Sequence, residues 1–353
     1  MLRSARFAAP LLLVLCACGK TASTSSGSGS GASGGSVGGD RQSPVPPDSE
    51  CVTPAGAAVQ LYSGDVGSFV VTDDFVYLVA QSNDGNVVRV SKTGNGAPKP
   101  FSLPGTPATS VAFGNGSILL GPPSGLVKIP VTDDTSTGPT YGASSAVNGG
   151  ITFDGKSLFA PTLSEVTAGQ TVLREMPIDG SPVISSNLPI HILIRGISAG
   201  LDGIYLAIET LPNAGDGAPF GSLIKVPFGG GQATFVVEKM PIPMGLAVDD
   251  SYAYIATSFV AGLLRVGLDG SGQTTLSSAT VDNVAVDAHA IYFVADGQIT
   301  RMDKATHATK QLAPVMQGTN GIVVHGGNVY WSVGSGGALS GPIMPGSITT
   351  TCK

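Results

Sequence analysis

Charge is scarce in this chain, and so are cysteine, histidine and tryptophan: 353 residues carry 12% Asp, Glu, Lys and Arg, four Cys, four His and one Trp. So few cysteines exclude a disulfide-dense scaffold. The histidines, His191, His289, His307 and His325, show no metal-ligand spacing such as two His four apart on a helix. No segment sustains a capped 3.6-residue apolar period, so helices are not expected. The formal charge is −6, and an acidic surface repels phosphate backbones, which excludes nucleic acid as a partner. The apolar run from Phe7 to Leu15 falls well short of the roughly 20 residues of a permanent membrane span. Glycine is what the chain has in excess, with 50 residues, which fits many short strands joined by tight turns.

Arg3 and Arg6 precede the Phe7–Leu15 run, the layout of a secretory signal. The run ends in Leu15-Cys16-Ala17-Cys18-Gly19, which resembles the bacterial lipobox. That resemblance implies lipidation of Cys18, because at Cys16 the cut would follow the large Leu15 where a small residue is expected. Gly19 after the acceptor resembles Gram-negative lipoproteins bound for the outer membrane. Thr21 to Gly39 is almost only Ser, Gly, Thr and Ala, and Pro44, Pro46 and Pro47 stiffen the stretch leading to the folded body. Such a segment buries nothing and serves as a tether. The expected division is a signal peptide over 1–17, a tether over 18–50 and a folded body over 51–353. The 18 basic residues less Arg3 and Arg6, set against 24 acidic ones, give the mature chain a formal charge of −8.

The body repeats one pattern seven times: a small apolar strand, a turn, a strand often centred on Tyr, another turn, and a third strand. First strands are expected at SFVVTD (68–73), TSVAFG (109–114), GGITFD (149–154), RGISAG (195–200), MGLAVD (244–249), DNVAVD (282–287) and NGIVVH (320–325). Second strands follow at FVYLVA, SILLG, SLFAP, GIYLAI, AYIATS, IYFVAD and VYWSVG. Third strands follow at NVVRVS, GLVKIP, VLREMP, SLIKVP, GLLRVG, QITRMD and, degraded, ALSGPIM (338–344). A spacing of about 40 residues is the length of a four-stranded blade. The expectation is an all-β, seven-bladed propeller, with six blades as the alternative. The Asp residues after the first and third strands read as turn formers. The basic residue recurring in third strands (Arg89, Lys128, Arg174, Lys225, Arg265, Arg301) reads as structural, pairing with a neighbouring blade's carboxylate or lying over the outer surface.

An open ring would leave unpaired edges. AVQLYS (58–63) aligns with the outer strand of the fifth unit, so the N-terminal segment is expected to close the seventh blade as its outer strand. A competing arrangement makes GSITTTC (346–352) the outer strand with the N-terminal strand beside it. Two cysteines remain after Cys16 and Cys18, namely Cys51 and Cys352 at the two ends of the body, and they are expected to be bonded.

Catalytic motifs fail their structural context. Gly31-Ala32-Ser33-Gly34-Gly35 lies in the tether, and Gly196-Ile197-Ser198-Ala199-Gly200 leads into a strand, so neither makes a nucleophile elbow. Gly215-Asp216-Gly217 has no following helix to hold a phosphate. If the ring has a site, it lies where the loops between fourth and first strands and between second and third strands converge. His191, Arg195, Glu209, Asp216, Asp65, Asn283 and Asn320 are the candidate binding residues there, with Asn83, Asp84 and Asp282 on the same face. The 209–221 insertion departs most from the repeat, and such loops carry binding. No catalytic or metal-ligating set is assigned, no cofactor is expected, and no motif supports calcium.

VYWSVG, AYIATS and IYFVAD, each followed by an R-V, R-M or degraded strand, resemble the YWTD, NHL and TolB group of propellers over roughly 58–353. With the lipobox and tether, the chain resembles propeller lipoproteins of Gram-negative bacteria, myxobacteria in particular. The resemblance implies a monomeric, lipid-anchored binding or scaffolding module for protein, peptide or glycan. The alternative is a hydrolase or lyase similar to the lactonase-like or streptogramin-lyase-like propellers, which need a channel metal or a His-centred acid/base group.

Overall fold

The computed structural model describes residues 58–80, 86–101, 108, 110–114, 116–121, 126–131, 140–141, 150–163, 170–190, 192–211, 220–257, 262–315, 319–333 and 347–352. The expected signal, the tether, Cys18 and Cys51 lie outside them, as do the 338–344 segment, Asn83, Asp84, His191 and Asp216. Among the described residues every regular element is a strand.

A lone strand β1 (Val59–Ser63) comes first. Sheet 1 is β2 (Val66–Val71), β3 (Phe75–Ala80), β4 (Asn86–Ser91) and β5 (Lys99–Pro100). Sheet 2 is β6 (Ser110–Gly114), β7 (Ser117–Gly121), β8 (Leu126–Pro130) and β9 (Thr140–Tyr141). Sheet 3 is β10 (Thr152–Phe153), β11 (Ser157–Leu163), β12 (Thr171–Pro177) and β13 (Ile184–Asn187). Sheet 4 is β14 (Ile192–Ala199), β15 (Gly203–Thr210), β16 (Phe220–Pro227) and β17 (Thr234–Met240). Sheet 5 is β18 (Pro243–Val248), β19 (Tyr252–Thr257), β20 (Leu263–Gly267) and β21 (Thr274–Ser277). Sheet 6 is β22 (Val281–Val286), β23 (Ala290–Ala295), β24 (Gln298–Asp303) and β25 (Thr309–Pro314). Sheet 7 is β26 (Thr319–His325), β27 (Asn328–Val333), β28 (Ser347–Cys352) and then β1. Each sheet is an antiparallel meander. Its first strand lies beside the first strands of the preceding and following sheets, and β26 lies beside β2, so the sheets form a ring.

Sheet 7 joins the two ends of the body. Val59 stands opposite Thr350 and Ser63 opposite Ser347, which places the N-terminal strand outermost as expected. Its third strand differs from the expectation: it is β28, SITTTC, not ALSGPIM. Ile348, Thr349, Thr350 and Thr351 are β-branched and fit a pleated surface. With β28 third and β1 fourth, GSITTTC is not the outer strand of the competing arrangement either.

One residue trio repeats across the sheets. A tyrosine of the second strand faces a small residue of the first and a basic residue of the third: Ser198–Tyr205–Lys225, Ala247–Tyr254–Arg265 and Ala285–Tyr292–Arg301. These tyrosines are at most 2% exposed. Their rings fill the junction with the next sheet, where Tyr254 joins Val284 and Phe293, and Tyr292 joins Ile322 and Trp331. A bulkier first-strand neighbour would collide with the ring, which accounts for the Ala, Ser and Val at that position. Each of the seven junctions has its own apolar cluster of this kind.

A buried phenol must place its O–H on an acceptor. Tyr254 donates to Asp249 Oδ2 at 3.0 Å, Tyr292 to Asp287 Oδ2 at 2.9 Å and Tyr205 to Asp202 Oδ1 at 2.9 Å. Burial, then the adjacent carboxylate, pushes all three phenols well above their ordinary range. The other oxygen of Asp249 accepts the Ser251 and Tyr252 amides at 2.9 and 2.8 Å, and Asp287 does the same for His289 and Ala290. The turn-forming role expected of these carboxylates is what the structure shows, with tyrosine anchoring added.

Three of the third-strand cations contact groups of their own sheet, in place of the expected carboxylate of a neighbouring blade. The Arg89 guanidinium lies 4.5 Å over the Phe75 ring, Arg265 lies 4.7 Å over Tyr252, and Lys225 bonds Asp202. Links between sheets come from elsewhere. Lys304 Nζ reaches Asp249 of sheet 5 at 2.7 Å, and His325 Nε2 lies 3.2 Å from Asp73 Oδ1 across the junction of sheets 7 and 1.

Two substitutions separate these contributions. Ala247→Leu, which forces a branched chain under Tyr254, is expected to cost about 1–3 kcal/mol. Tyr254→Phe, which keeps the ring and removes one hydrogen bond, is expected to cost about 1 kcal/mol. Urea unfolding monitored at equilibrium checks both, and equal costs would contradict the packing argument.

Candidate functional site

The first strands depart from ideal pairing at one recurring place. Between Val66 and Phe69, Ile194 and Gly196, Pro243 and Gly245, Val281 and Val284, and Thr319 and Gly321, one extra residue is inserted opposite the second strand. Such a bulge re-aims a side chain. Aligning the sheets on their turns makes the bulged residue Gly67, Arg195, Met244, Asp282 or Asn320. The turn hydrogen bond Thr72 N to Phe75 O matches Asp249 N to Tyr252 O, so the first repeat runs 67–72 and not 68–73. Thr72, whose Oγ1 accepts the Phe75 amide at 3.2 Å, takes the position of Asp249.

The residue after each bulge turns to the next sheet. Ser68 Oγ accepts the Val111 amide at 3.2 Å, and Asn283 Nδ2 donates to the Thr319 carbonyl at 3.1 Å. At Gly196 a Cβ would come within 2.8 Å of Leu246 Cβ, so the first strands of sheets 4 and 5 pack too closely there for a larger side chain.

Arg195 and Glu209 are brought together from adjacent strands. Arg195 Nε and Nη2 both donate to Glu209 Oε2, at 2.9 and 2.5 Å, and Glu209 is 7% exposed. The pair neutralises itself and fixes the Arg195 guanidinium against the end of β15. Asn283 is 5% exposed and its amide is committed to Thr319, so of that dipeptide Asp282 is the residue presented at the bulge. Asp65 is half-buried just before β2. The backbone of Asn320 lies in β26 at its bulge, while His191 and Asp216 belong to the residues outside the description.

Sequence reasoning missed Met244 and the bulges themselves. The signal was present: a position that reads Gly, Arg, Met, Asp and Asn precedes one that reads Ser, Gly, Gly, Asn and Gly. A variable residue followed by a small or cross-linking one marks a site freed from core packing. Exposed apolar side chains gather at the same end of sheets 4 and 5, namely Ile190, Leu193, Leu211 and Met244. Near the first strands of sheets 1 to 3, Phe69, Phe113, Ile151 and Phe153 line a hollow of about 10 Å³, room for about one water.

Two aspartates of the ring respond to pH in opposite senses. Burial pushes the Asp249 carboxyl up, but the Lys304 ammonium with the Ser251 and Tyr252 amides outweighs it, so the group lies below its ordinary value. Its stabilisation is present above the ordinary carboxylate value of about 3.9 and is lost as pH falls through the depressed one. Burial alone pushes Asp282 up. Its contribution is present below about pH 3.9 and is lost as pH rises through the raised value, leaving an ionised, half-buried group at neutrality. Asp282→Asn is therefore expected to raise the thermal midpoint at pH 7 by about 1–3 °C, and Asp249→Asn to lower it. Calorimetry at pH 7 and pH 3.5 checks this, both differences shrinking in acid.

No family model matches the chain, and no curated protein matches it. Among solved structures it is similar to the WD40 domain of Neurospora crassa Pan2, with a TM-score of 0.58 and 9% identity over 86% of this chain and 98% of that one. It is similar to the extracellular domain of the putative one component system BT4673 from B. thetaiotaomicron, with a TM-score of 0.55 and 10% identity over 82% of this chain and 39% of that one, so it spans about two fifths of that protein's length. BamB from Moraxella catarrhalis aligns with a TM-score of 0.50 and 12% identity, over 82% of this chain and 83% of that one. Identities this low carry architecture alone: the chain is an all-β protein with a β-propeller fold.

Proposed function

We propose that this protein is a lipid-anchored binding module of the bacterial envelope whose propeller rim holds a protein, peptide or glycan. The observation that carries the reading is the rim itself. Five first strands bulge at the same aligned position, and exposed Ile190, Leu193, Leu211 and Met244 lie at that end of sheets 4 and 5 with the Arg195–Glu209 pair. Contiguous exposed apolar side chains mark interaction surfaces. The hydrolase or lyase reading gains no observation from the described residues.

In this proposal all seven sheets are blades. Sheet 3 has the shortest first strand, two residues, and six sheets remain if it is not counted. The export signal ends before Cys18, which carries the lipid, and residues 18–50 tether the ring to the outer membrane. Cys51 bonds Cys352, adding a covalent tie where β1 and β28 already pair. In the loop-closure model a link between residues about 300 apart stabilises by up to roughly 5 kcal/mol, and an extracytoplasmic address permits the bond.

Two measurements test the proposal. Intact-mass analysis of protein extracted from membranes is expected to show an acylated N-terminal Cys18 and the loss of two hydrogens at Cys51 and Cys352. A soluble, unacylated product would overturn the anchor. For binding, a photo-crosslinking residue placed at Leu193 of the full-length protein in cells is expected to capture a partner. The same residue at Leu201, which is 62% exposed in the turn at the opposite end of β14, is expected to capture none. Equal or absent capture at both positions refutes the rim as the binding surface.

A further inference from the structure

The exposed apolar side chains and the charges of the rim together describe what sits on it. Of the eight large apolar side chains exposed among the described residues, Ile190, Leu193, Leu211 and Met244 lie at this one end of two adjacent sheets. Leu193 pairs opposite Glu209, two positions before Leu211, so three of the four flank the β14–β15 pair. Met244 is the bulged residue of the neighbouring first strand, β18. Beyond it comes Asp282, the bulged residue of β22. The two strands nearly touch: a Cβ on Gly245 would lie 3.6 Å from the Asp282 carbonyl oxygen.

The charges at the rim are unevenly satisfied. Arg195 is neutralised by Glu209 and does not need an anion. Asp282 has no ion pair among the described residues and no hydrogen bond to its carboxylate there. The formal charge of the whole chain, −6, reinforces the attraction for a cation. A divalent metal is a poor match, since calcium takes six or more oxygen ligands, and no three acidic, His or Cys residues among those described could hold an ion. The exposed residues combine an adaptable methionine with leucine and isoleucine over sheets 4 and 5, and Asp282 adds a carboxylate from sheet 6, a spread that suits an extended segment of polypeptide.

We propose that the rim over sheets 4 to 6 binds a peptide segment of a partner protein in which a lysine or arginine is flanked by apolar side chains. The cation pairs with Asp282, and its apolar neighbours cover Met244, Leu193, Leu211 and Ile190. This rests on the binding reading above and narrows it to one chemistry. The desolvation that Asp282 already bears is repaid when a cation arrives, so the residue trades stability of the free ring for recognition.

The test uses the full-length protein and two acetylated, amidated pentapeptides, Gly-Leu-Lys-Leu-Gly and Gly-Leu-Glu-Leu-Gly, followed by titration calorimetry or by NMR. The lysine peptide is expected to bind saturably and at least about tenfold more tightly than the glutamate peptide. Asp282→Asn, which is expected to fold more stably than the parent, should abolish that preference, while Leu193→Ser should weaken the lysine peptide and keep the preference. Equal binding of the two peptides, binding of neither, or an unchanged preference in Asp282→Asn each overturns the inference. Capture at Leu193 by the photo-crosslinker together with failure of both peptides leaves the binding reading standing and removes only this chemistry.

Discussion

The ring depends on a buried phenol. A tyrosine in the second strand offers a large apolar ring to the neighbouring sheet and a hydroxyl that must find an acceptor. Those two demands determine the surrounding residues. The first strand must be small beside the ring, and the turn must supply an oxygen, as Asp249, Asp287 and Asp202 do. In sheets 2 and 3, Leu119 and Phe159 replace the tyrosine. Neither has a hydroxyl, and there the turn holds Gly114 or an Asp154 occupied only with the Lys156 and Ser157 amides. At Asp249 and Asp287 one acid thus serves both the turn and the phenol.

Because each ring lies in the junction with the next sheet, local chemistry within a hairpin becomes adhesion between hairpins. Ser68 and Asn283 add polar links of the same sense, each from one first strand to the backbone of the next. The bulges sit one residue before these links. A residue inserted opposite a regular strand escapes the alternation that commits its neighbours to a junction, so its identity is open to selection for something other than packing. Arg195, Met244 and Asp282 differ widely for that reason, while Ser198, Ala247 and Ala285 are all small.

Much of this is legible in the sequence. The small first strands, the Tyr-centred second strands and the Asp turns are local patterns with a two-residue period, and they predict strands and meanders correctly through β14 to β25. Three features are not legible. Asp73 looks like Asp249, but Thr72 makes the equivalent turn and Asp73 instead faces His325, so pattern alone sets the first repeat one residue late. SITTTC lacks the basic residue of other third strands, and Tyr330 faces Thr350 there, so a strand defined by backbone pairing loses out to one resembling its siblings. The third-strand cations are expected to reach a neighbouring sheet, because sequence spacing does not show that Arg89, Lys225, Arg265 and Arg301 lie directly across from tyrosines of their own sheet, or that Arg174 is out of step, opposite Ala160. Topology alone puts Arg195 and Glu209 at one end of their sheet, although their direct contact depends on a bulge that pattern does not reveal.

The pairing of β1 with β28 also sets an order of events. A strand made within the first 63 residues has its hydrogen-bonding partner among the last seven of 353. During synthesis the early strand must wait unpaired until the segment carrying β28 has been made, and only then can the circle shut. Sheets 1 to 6 can assemble in sequence as they emerge, but the seventh cannot exist in any truncated chain. Loss of a few C-terminal residues to a protease or an early stop therefore strands two edges at once and turns a small deletion into exposure of sticky backbone.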